Sequence, residues 1–241
     1  MASIQDLKVK IFADGADLAG MKAKYANPLI KGFTTNPTLM KIAGVKDYKA
    51  FARDVLQAIP DRPVSFEVFA DEFDEMEVQG LEIASWGKNV NVKIPVTNTK
   101  GAFAGPLISR LAKAGVVLNV TAIFTPEQIK RVADALSPDV PAIVSVFAGR
   151  VADSGIDPVP LMKDAAAMLR SHRPKADLLW ASPRELLNIF QSDECGCGII
   201  TVTNDVLKKL SLVGKDQDAY SLETVKMFYG DAQAAGYKIQ D

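Results

Sequence analysis

The chain is poor in the residues that most often carry metal, redox or nucleophilic chemistry. Its 241 residues include one histidine, His172, and two cysteines, Cys195 and Cys197. The histidine lies in the polar stretch Ser171-His172-Arg173-Pro174, which reads as a solvated surface loop. A Ser-His-Asp triad or a histidine-rich metal site therefore has almost nothing to build on. The cysteines are separated by a single glycine in Glu194-Cys195-Gly196-Cys197-Gly198. Such close cysteines rarely form a structural disulfide, and they supply too few ligands for zinc. Small residues packed at the entrance to a strand are the plainer reading. Neither a metal nor a cofactor is expected.

An excess of charge of one sign is also missing. With 28 basic and 29 acidic side chains the formal net charge is -1. That balance leaves no electrostatic footprint for nucleic acid or an anionic membrane surface. No apolar run approaches the roughly 20 residues needed to span a bilayer. The start, Met1-Ala2-Ser3-Ile4-Gln5-Asp6, lacks a signal-peptide pattern. The expectation is a cytoplasmic protein with neither a nucleic-acid nor a membrane partner. No GxGxxG or GxxxxGK[ST] loop follows any strand-like segment, which weakens a nucleotide-binding reading.

What the chain does have is alternation. Strands are expected at Val9 to Asp14, Ile30 to Phe33, Val64 to Phe69 and Val90 to Ile94, then at Val116 to Thr121, Ala142 to Phe147, Asp177 to Ala181 and Ile199 to Val202. Helices are expected behind them, at Leu18 to Tyr25, Asp47 to Ile59, Glu72 to Trp86 and Ala102 to Ala114. The next opens at Thr125-Pro126-Glu127, where Thr caps and Pro fits the first turn. Others cover Pro158 to Ser171, Glu185 to Phe190 and Asp205 to Leu210, and a last amphipathic helix spans about Leu222 to Ala235. Eight strand-then-helix units predict a parallel sheet, and in this length they point to a closed (β/α)8 TIM barrel. No linker divides the chain, so residues 1–241 read as one α/β domain, with the barrel at about 9–210 and the terminal helix after it.

One lysine stands out. In Asn91-Val92-Lys93-Ile94-Pro95-Val96-Thr97 it lies inside an apolar, β-branched run. A buried ammonium must be paired or lose its proton, and a neutral lysine amine is a nucleophile suited to Schiff-base chemistry. The alternative is a strand-end lysine whose tip reaches solvent past an apolar stem. Barrel enzymes gather catalytic groups at the C-terminal ends of their strands. Read in order, those ends carry Asp14, Thr35 with Asn36, Glu67, Lys93, Asn119 with Thr121, Ser145 and Ser182. Two carboxylates with a buried lysine are the parts of a Schiff-base aldol site, a nucleophile and two proton-transfer groups.

Phe12-Ala13-Asp14, Gly32-Phe33-Thr34-Thr35-Asn36-Pro37-Thr38, Val92-Lys93-Ile94-Pro95, Asn119-Val120-Thr121, Phe147-Ala148-Gly149-Arg150 and Ala181-Ser182-Pro183-Arg184 together resemble the transaldolase family. The chain's shortness resembles its compact branch, which also contains the fructose 6-phosphate aldolases. The resemblance implies that Lys93 forms the Schiff base with a ketose and that Asp14 moves the C4 hydroxyl proton. It implies that Glu67 and Thr121 hold a water for imine formation. Asn36 and Asn119, with Ser145 and Thr35 nearby, would bind the dihydroxyacetone moiety, and Arg150, Ser182 and Arg184 the phosphate. Without these motifs, Arg150 would read as a surface salt-bridge residue.

Glu67 and Phe147 stand where the aldolases of that branch look to have Gln and Tyr, so the resemblance implies transfer over cleavage. Two departures bear on the sugar: Gly15-Ala16-Asp17 after Asp14, and Pro183 between Ser182 and Arg184. They leave open an aldolase, or a transaldolase for a modified ketose such as a sulfo sugar. A non-catalytic sugar-phosphate-binding barrel is the alternative outside enzymology. The resemblance places the activity in the pentose phosphate pathway and implies a homo-oligomer, often a decamer in this branch. Leu222, Val225, Met227, Phe228 and Tyr229 give the terminal helix apolar surface for either its own barrel or a subunit contact.

Overall fold

Eight short, mostly buried segments pair side by side into a closed parallel barrel, each strand next to its successor and the last beside the first. The computed structural model describes residues 4–239, so both ends of the span read as one domain lie outside the described residues. The strands are β1 (Lys10–Asp14), β2 (Ile30–Thr34), β3 (Val64–Glu67), β4 (Val90–Pro95), β5 (Leu118–Ile123), β6 (Ala142–Val146), β7 (Ala176–Trp180) and β8 (Ile199–Val202). The helices between them are α1 (Leu18–Tyr25), α2 (Pro37–Ile42), α3 (Tyr48–Ala58), α4 (Phe73–Ala84), α5 (Gly105–Lys113), α6 (Pro126–Ala135), α7 (Ala148–Asp153), α8 (Pro158–His172) and α9 (Leu187–Glu194). After β8 come α10 (Asn204–Lys208), a 3-10 turn (Lys209–Leu212) and α11 (Gln217–Ala235).

The helix starts have local causes. Asp17, Asn36, Asp47 and Asp157 each accept a backbone N–H of the first turn they precede. Thr125 and Gln128 form a reciprocal capping box at α6, with Pro126 in the first turn. The core divides in two. A large shell of apolar side chains fills the space between sheet and helices. A smaller cluster of Phe12, Ile143, Leu179, Ala181 and Ile199 fills the barrel interior. Phe12 reaches across to β2, where a Cβ at Gly32 would lie 2.5 Å from its ring.

Several expectations need correction. β3 stops at Glu67, and Phe69 is exposed, its N–H given to the Gln79 side chain at 2.9 Å. α5 begins three residues later than periodicity suggested, because Phe103 is held in an antiparallel bridge with Thr97. The short helices α2 and α7 were not expected at all. The terminal helix is longer than read and no residue of it is buried, so it does not pack an apolar stripe on its own barrel. Tyr220 and Met227 also lie away from the face shared by Leu222, Val225 and Tyr229. No helix of the described residues is long and apolar enough to cross a membrane.

Candidate active site

Strand register brings the polar strand ends to one level. Glu67 on β3 is the partner of Lys93 on β4, and Lys93 the partner of Asn119 on β5. Asp14 and Thr34 are partners on β1 and β2. Because side chains alternate between barrel interior and helix layer, these residues meet at the interior. A cavity of about 370 Å³ opens there, with Lys93, Asp14, Asn119, Thr121 and Ser145 in its wall.

Lys93 is 7% exposed. Its Nζ lies 2.9 Å from Glu67 Oε2 and donates to the Thr35 carbonyl at 3.0 Å. The lysine tip is thus paired inside the barrel instead of reaching solvent. Glu67 is itself held at the strand end, since the Tyr48 hydroxyl donates to its backbone carbonyl at 2.9 Å. Asp14 Oδ1 accepts a hydrogen bond from Thr34 Oγ1 at 2.7 Å. Thr34 Oγ1 also shares a hydrogen bond with Thr201 Oγ1. A hydroxyl has one proton, so Thr201 donates to Thr34, which donates to Asp14. Burial pushes the Asp14 carboxyl above its ordinary value, against the lowering effect of the Thr34 hydrogen bond and of the Lys93 charge.

Asn119 is fully buried and fixed at both ends of its amide: Nδ2 donates to Ser65 Oγ at 3.1 Å, and Oδ1 accepts from Ser145 Oγ at 2.6 Å. Asn36 lines the cavity while its side chain caps α2 by accepting from the Leu39 N–H. Thr35 is placed differently from expectation. Its hydroxyl donates to the Ser65 carbonyl at 2.9 Å and does not line the cavity; only its backbone carbonyl serves the site, by holding Lys93. The neighbouring Thr34 takes the position assigned to it. Glu67 likewise stands behind Lys93, outside the cavity wall.

The far wall carries Phe147, Arg150, Ser182 and Arg184. Phe147 packs against Phe124 with ring centroids 5.6 Å apart, and the Arg150 guanidinium lies 5.3 Å from its ring centroid. Ser182 has φ 60, a left-handed conformation that costs a non-glycine residue strain and often marks a functional site. Ala122, next to Thr121, has the same φ where the β5–β6 register shifts. Gly149 fits under Ser182 so closely that a Cβ would lie 1.6 Å from the Ser182 carbonyl oxygen.

Thr201, Thr203, Asp205 and Lys209 also line the cavity, and none was singled out from the sequence. The alternation of Thr201 and Thr203 at the end of an apolar strand was the available signal. Among the described residues, no group of three or more His, Cys, Asp or Glu side chains is placed to hold a metal ion. His172 Nε2 lies 2.8 Å from Asp134 on the outer surface, and both cysteines are buried free thiols whose pKa burial raises.

The chain matches the Transaldolase/Fructose-6-phosphate aldolase family over residues 11–240. It is 35% identical over 202 residues to a protein named "Probable transaldolase" from Dehalococcoides mccartyi, covering 84% of this chain and 90% of that one. A protein of the same name from Streptococcus agalactiae serotype V is 34% identical over 206 residues, covering 84% and 89%. Among solved structures, KGPDC from Streptococcus mutans superposes with a TM-score of 0.55 at 11% identity, over 82% of this chain and 88% of that one, a likeness of fold alone. On the family match and these relatives, the chain belongs to the transaldolase/fructose-6-phosphate aldolase family and is a transaldolase-type enzyme.

Proposed function

We propose that the protein transfers a dihydroxyacetone unit from a ketose phosphate, sedoheptulose 7-phosphate or fructose 6-phosphate, to an aldose phosphate, glyceraldehyde 3-phosphate or erythrose 4-phosphate. The observation that carries this reading is the pairing of buried Lys93 with part-buried Glu67 beside a cavity that also holds Asp14. In the reaction, Glu67 takes a proton from the Lys93 ammonium, and the free amine attacks the C2 carbonyl. The resulting carbinolamine loses water with a proton returned from Glu67, relayed by a water held with Thr121. The protonated imine then accepts the electron pair of the C3–C4 bond as Asp14 takes the C4 hydroxyl proton. The first aldehyde leaves, the enamine attacks the acceptor aldehyde, and Asp14 returns the proton to the new hydroxyl. Hydrolysis of the imine frees the product and the lysine.

Asp14 suits this double duty because its raised pKa brings carboxyl and carboxylate closer in population at working pH. Phe147 offers no hydroxyl to help water protonate the enamine, which favours transfer over cleavage. Asn36, Asn119 and Ser145 would bind the dihydroxyacetone moiety, and Arg150, Ser182 and Arg184 the phosphate. Such an enzyme would serve the pentose phosphate pathway in the cytoplasm. A second reading, a ketose with a singly charged headgroup such as a sulfo sugar, is favoured by the carboxylate of Asp153 on Arg184.

A homo-oligomer is the proposed assembly. It is supported by the exposed apolar side chains of α11 and by an apolar groove of about 930 Å³ between α6 and α8, lined by Ile129, Ile156, Leu161 and Met168. Borohydride reduction in the presence of fructose 6-phosphate tests the chemistry: an adduct is expected on Lys93 and none in Lys93→Ala. An unmodified Lys93 sinks the mechanism.

A further inference from the structure

Arg184 is already engaged. Its Nη2 forms an ion pair with Asp153 Oδ2, from a residue 31 positions earlier at the end of α7. The arginine is positioned from both sides. Its backbone N–H donates to Asn188 Oδ1 at 2.8 Å, and the start of α7 presses on the same segment through Gly149, whose Cβ would lie 3.4 Å from Arg184 Nε. Backbone packing therefore keeps Asp153 within reach of Arg184. Arg150, on the same short helix, has no carboxylate partner among the described residues and rests over Phe147. Lys209 and Asp205, of opposite sign, also line the cavity, as do Lys93 and Asp14 at its reacting end.

These charges nearly cancel. Leaving aside Lys93 and Asp14 at the reacting end, Arg150, Arg184 and Lys209 in the wall supply three positive charges, while Asp205 in the wall and Asp153 paired with Arg184 supply two negative ones, a balance of +1. A phosphate monoester carries roughly -1.5 to -2 near neutral pH. It must either displace Asp153 from Arg184 or bind beside a like charge. The side chains of Arg184 and Asp153 are 47% and 51% exposed, so water screens the pair and displacement is feasible. Exposed pairs of this kind are worth at most about fivefold in affinity.

We propose that Asp153 is a charge selector for the substrate headgroup: it competes with the bound anion for Arg184 and biases the cavity toward a singly charged headgroup over dianionic phosphate. The assignment rests on the aldol-transfer reading, because it needs a ketose whose far end reaches Arg184 while C2 meets Lys93. Asp153 acts through Arg184 and takes no part in the proton transfers, so its removal changes KM and leaves kcat alone.

The test measures kcat and KM for fructose 6-phosphate and for its 6-deoxy-6-sulfonate, a singly charged donor that lacks the bridging oxygen. The proteins are the wild type, Asp153→Asn, Arg184→Met and the double variant, with borohydride trapping on Lys93 run alongside. Asp153→Asn is expected to lower the KM for the phosphate about three- to fivefold, to lower that for the sulfonate less, and to do neither in the Arg184→Met background. Equal shifts for both donors, an unchanged KM, or a shift that persists without Arg184 overturns the selector role. No trapped adduct with either donor on the wild type overturns the aldol-transfer reading itself, and the assignment with it.

Discussion

Lys93 and Glu67 are register partners on adjacent strands, with Nζ of one 2.9 Å from Oε2 of the other. The barrel supplies this contact without any loop, since neighbouring interior positions on β3 and β4 are fixed by the sheet. The pair meets two needs at once. It gives a buried ammonium the partner it requires, and it puts a proton acceptor within reach of the amine.

Glu67→Gln keeps the shape of the side chain and removes that acceptor. The expected result is a fall in kcat of about 10²–10⁴, with the borohydride-trapping rate falling in parallel. Single-turnover kinetics with fructose 6-phosphate read both. A Gln variant that traps donor as fast as the wild type would remove Glu67 from the mechanism.

Asp14 gives a pH prediction. Burial raises its folded pKa above the ordinary 3.8, so the native state holds its proton more tightly than the unfolded chain does. Its contribution to stability is therefore most favourable at acid pH. That contribution falls as pH rises from about the ordinary value through the raised one, and stays low above it. Asp14→Asn removes the ionisation while keeping an acceptor for Thr34. The variant should melt higher than the wild type at neutral pH, with a gap that shrinks toward pH 4, and should lose about 10²–10⁴ in kcat. Thermal melts across pH check this; a gap that is constant or widens on acidification contradicts it.

Lys93, Asp14, Glu67 and Asn119 could be read from the sequence because strand ends in a parallel barrel all open on one face, so polar residues closing apolar runs share a location. Which threonine of Thr34-Thr35 faces the cavity could not be read that way. Successive strand residues point to opposite sides, and the choice depends on a register that includes an irregularity between Ile11 and Phe12. Thr201 and Lys209 were missed for a different reason: they lie on and after β8, and only barrel closure against β1 brings them to Asp14. Asp153 meets Arg184 through tertiary packing of α7, a helix too short for periodicity to announce. α11 left two readings open, because a helix with many apolar residues can cover its own barrel or a second chain, and only the burial of its side chains separates them.

Gly149 should tolerate no side chain. Alanine there would place a Cβ 1.6 Å from the Ser182 carbonyl oxygen and 2.6 Å from its carbon, both backbone atoms that cannot swing aside. Overpacking of this kind costs about 1–3 kcal/mol, and for a chain of this size each kcal/mol lowers Tm by roughly 2–4 °C. Gly149→Ala is expected to melt several degrees lower and to bind phosphorylated donors with a raised KM, because Ser182 and Arg184 move with the strained segment. A melt equal to the wild type would show that the contact relaxes freely.

The last prediction concerns α11. Its Leu222, Val225, Phe228 and Tyr229 are all more than half exposed, Phe228 by 64%. Water-facing aromatic and aliphatic side chains in this number are what a subunit contact would cover. If α11 docks on a second copy of the chain, Leu222→Glu with Phe228→Glu should lower the assembly's mass, measured by analytical ultracentrifugation against the 26.0 kDa of one chain. The barrel should keep its far-UV dichroism, because exposed substitutions on an unpacked helix change stability by no more than about 0.5 kcal/mol. A wild type that sediments at the mass of one chain removes the oligomer. A charged double variant that keeps the full assembly mass places the contact elsewhere than α11.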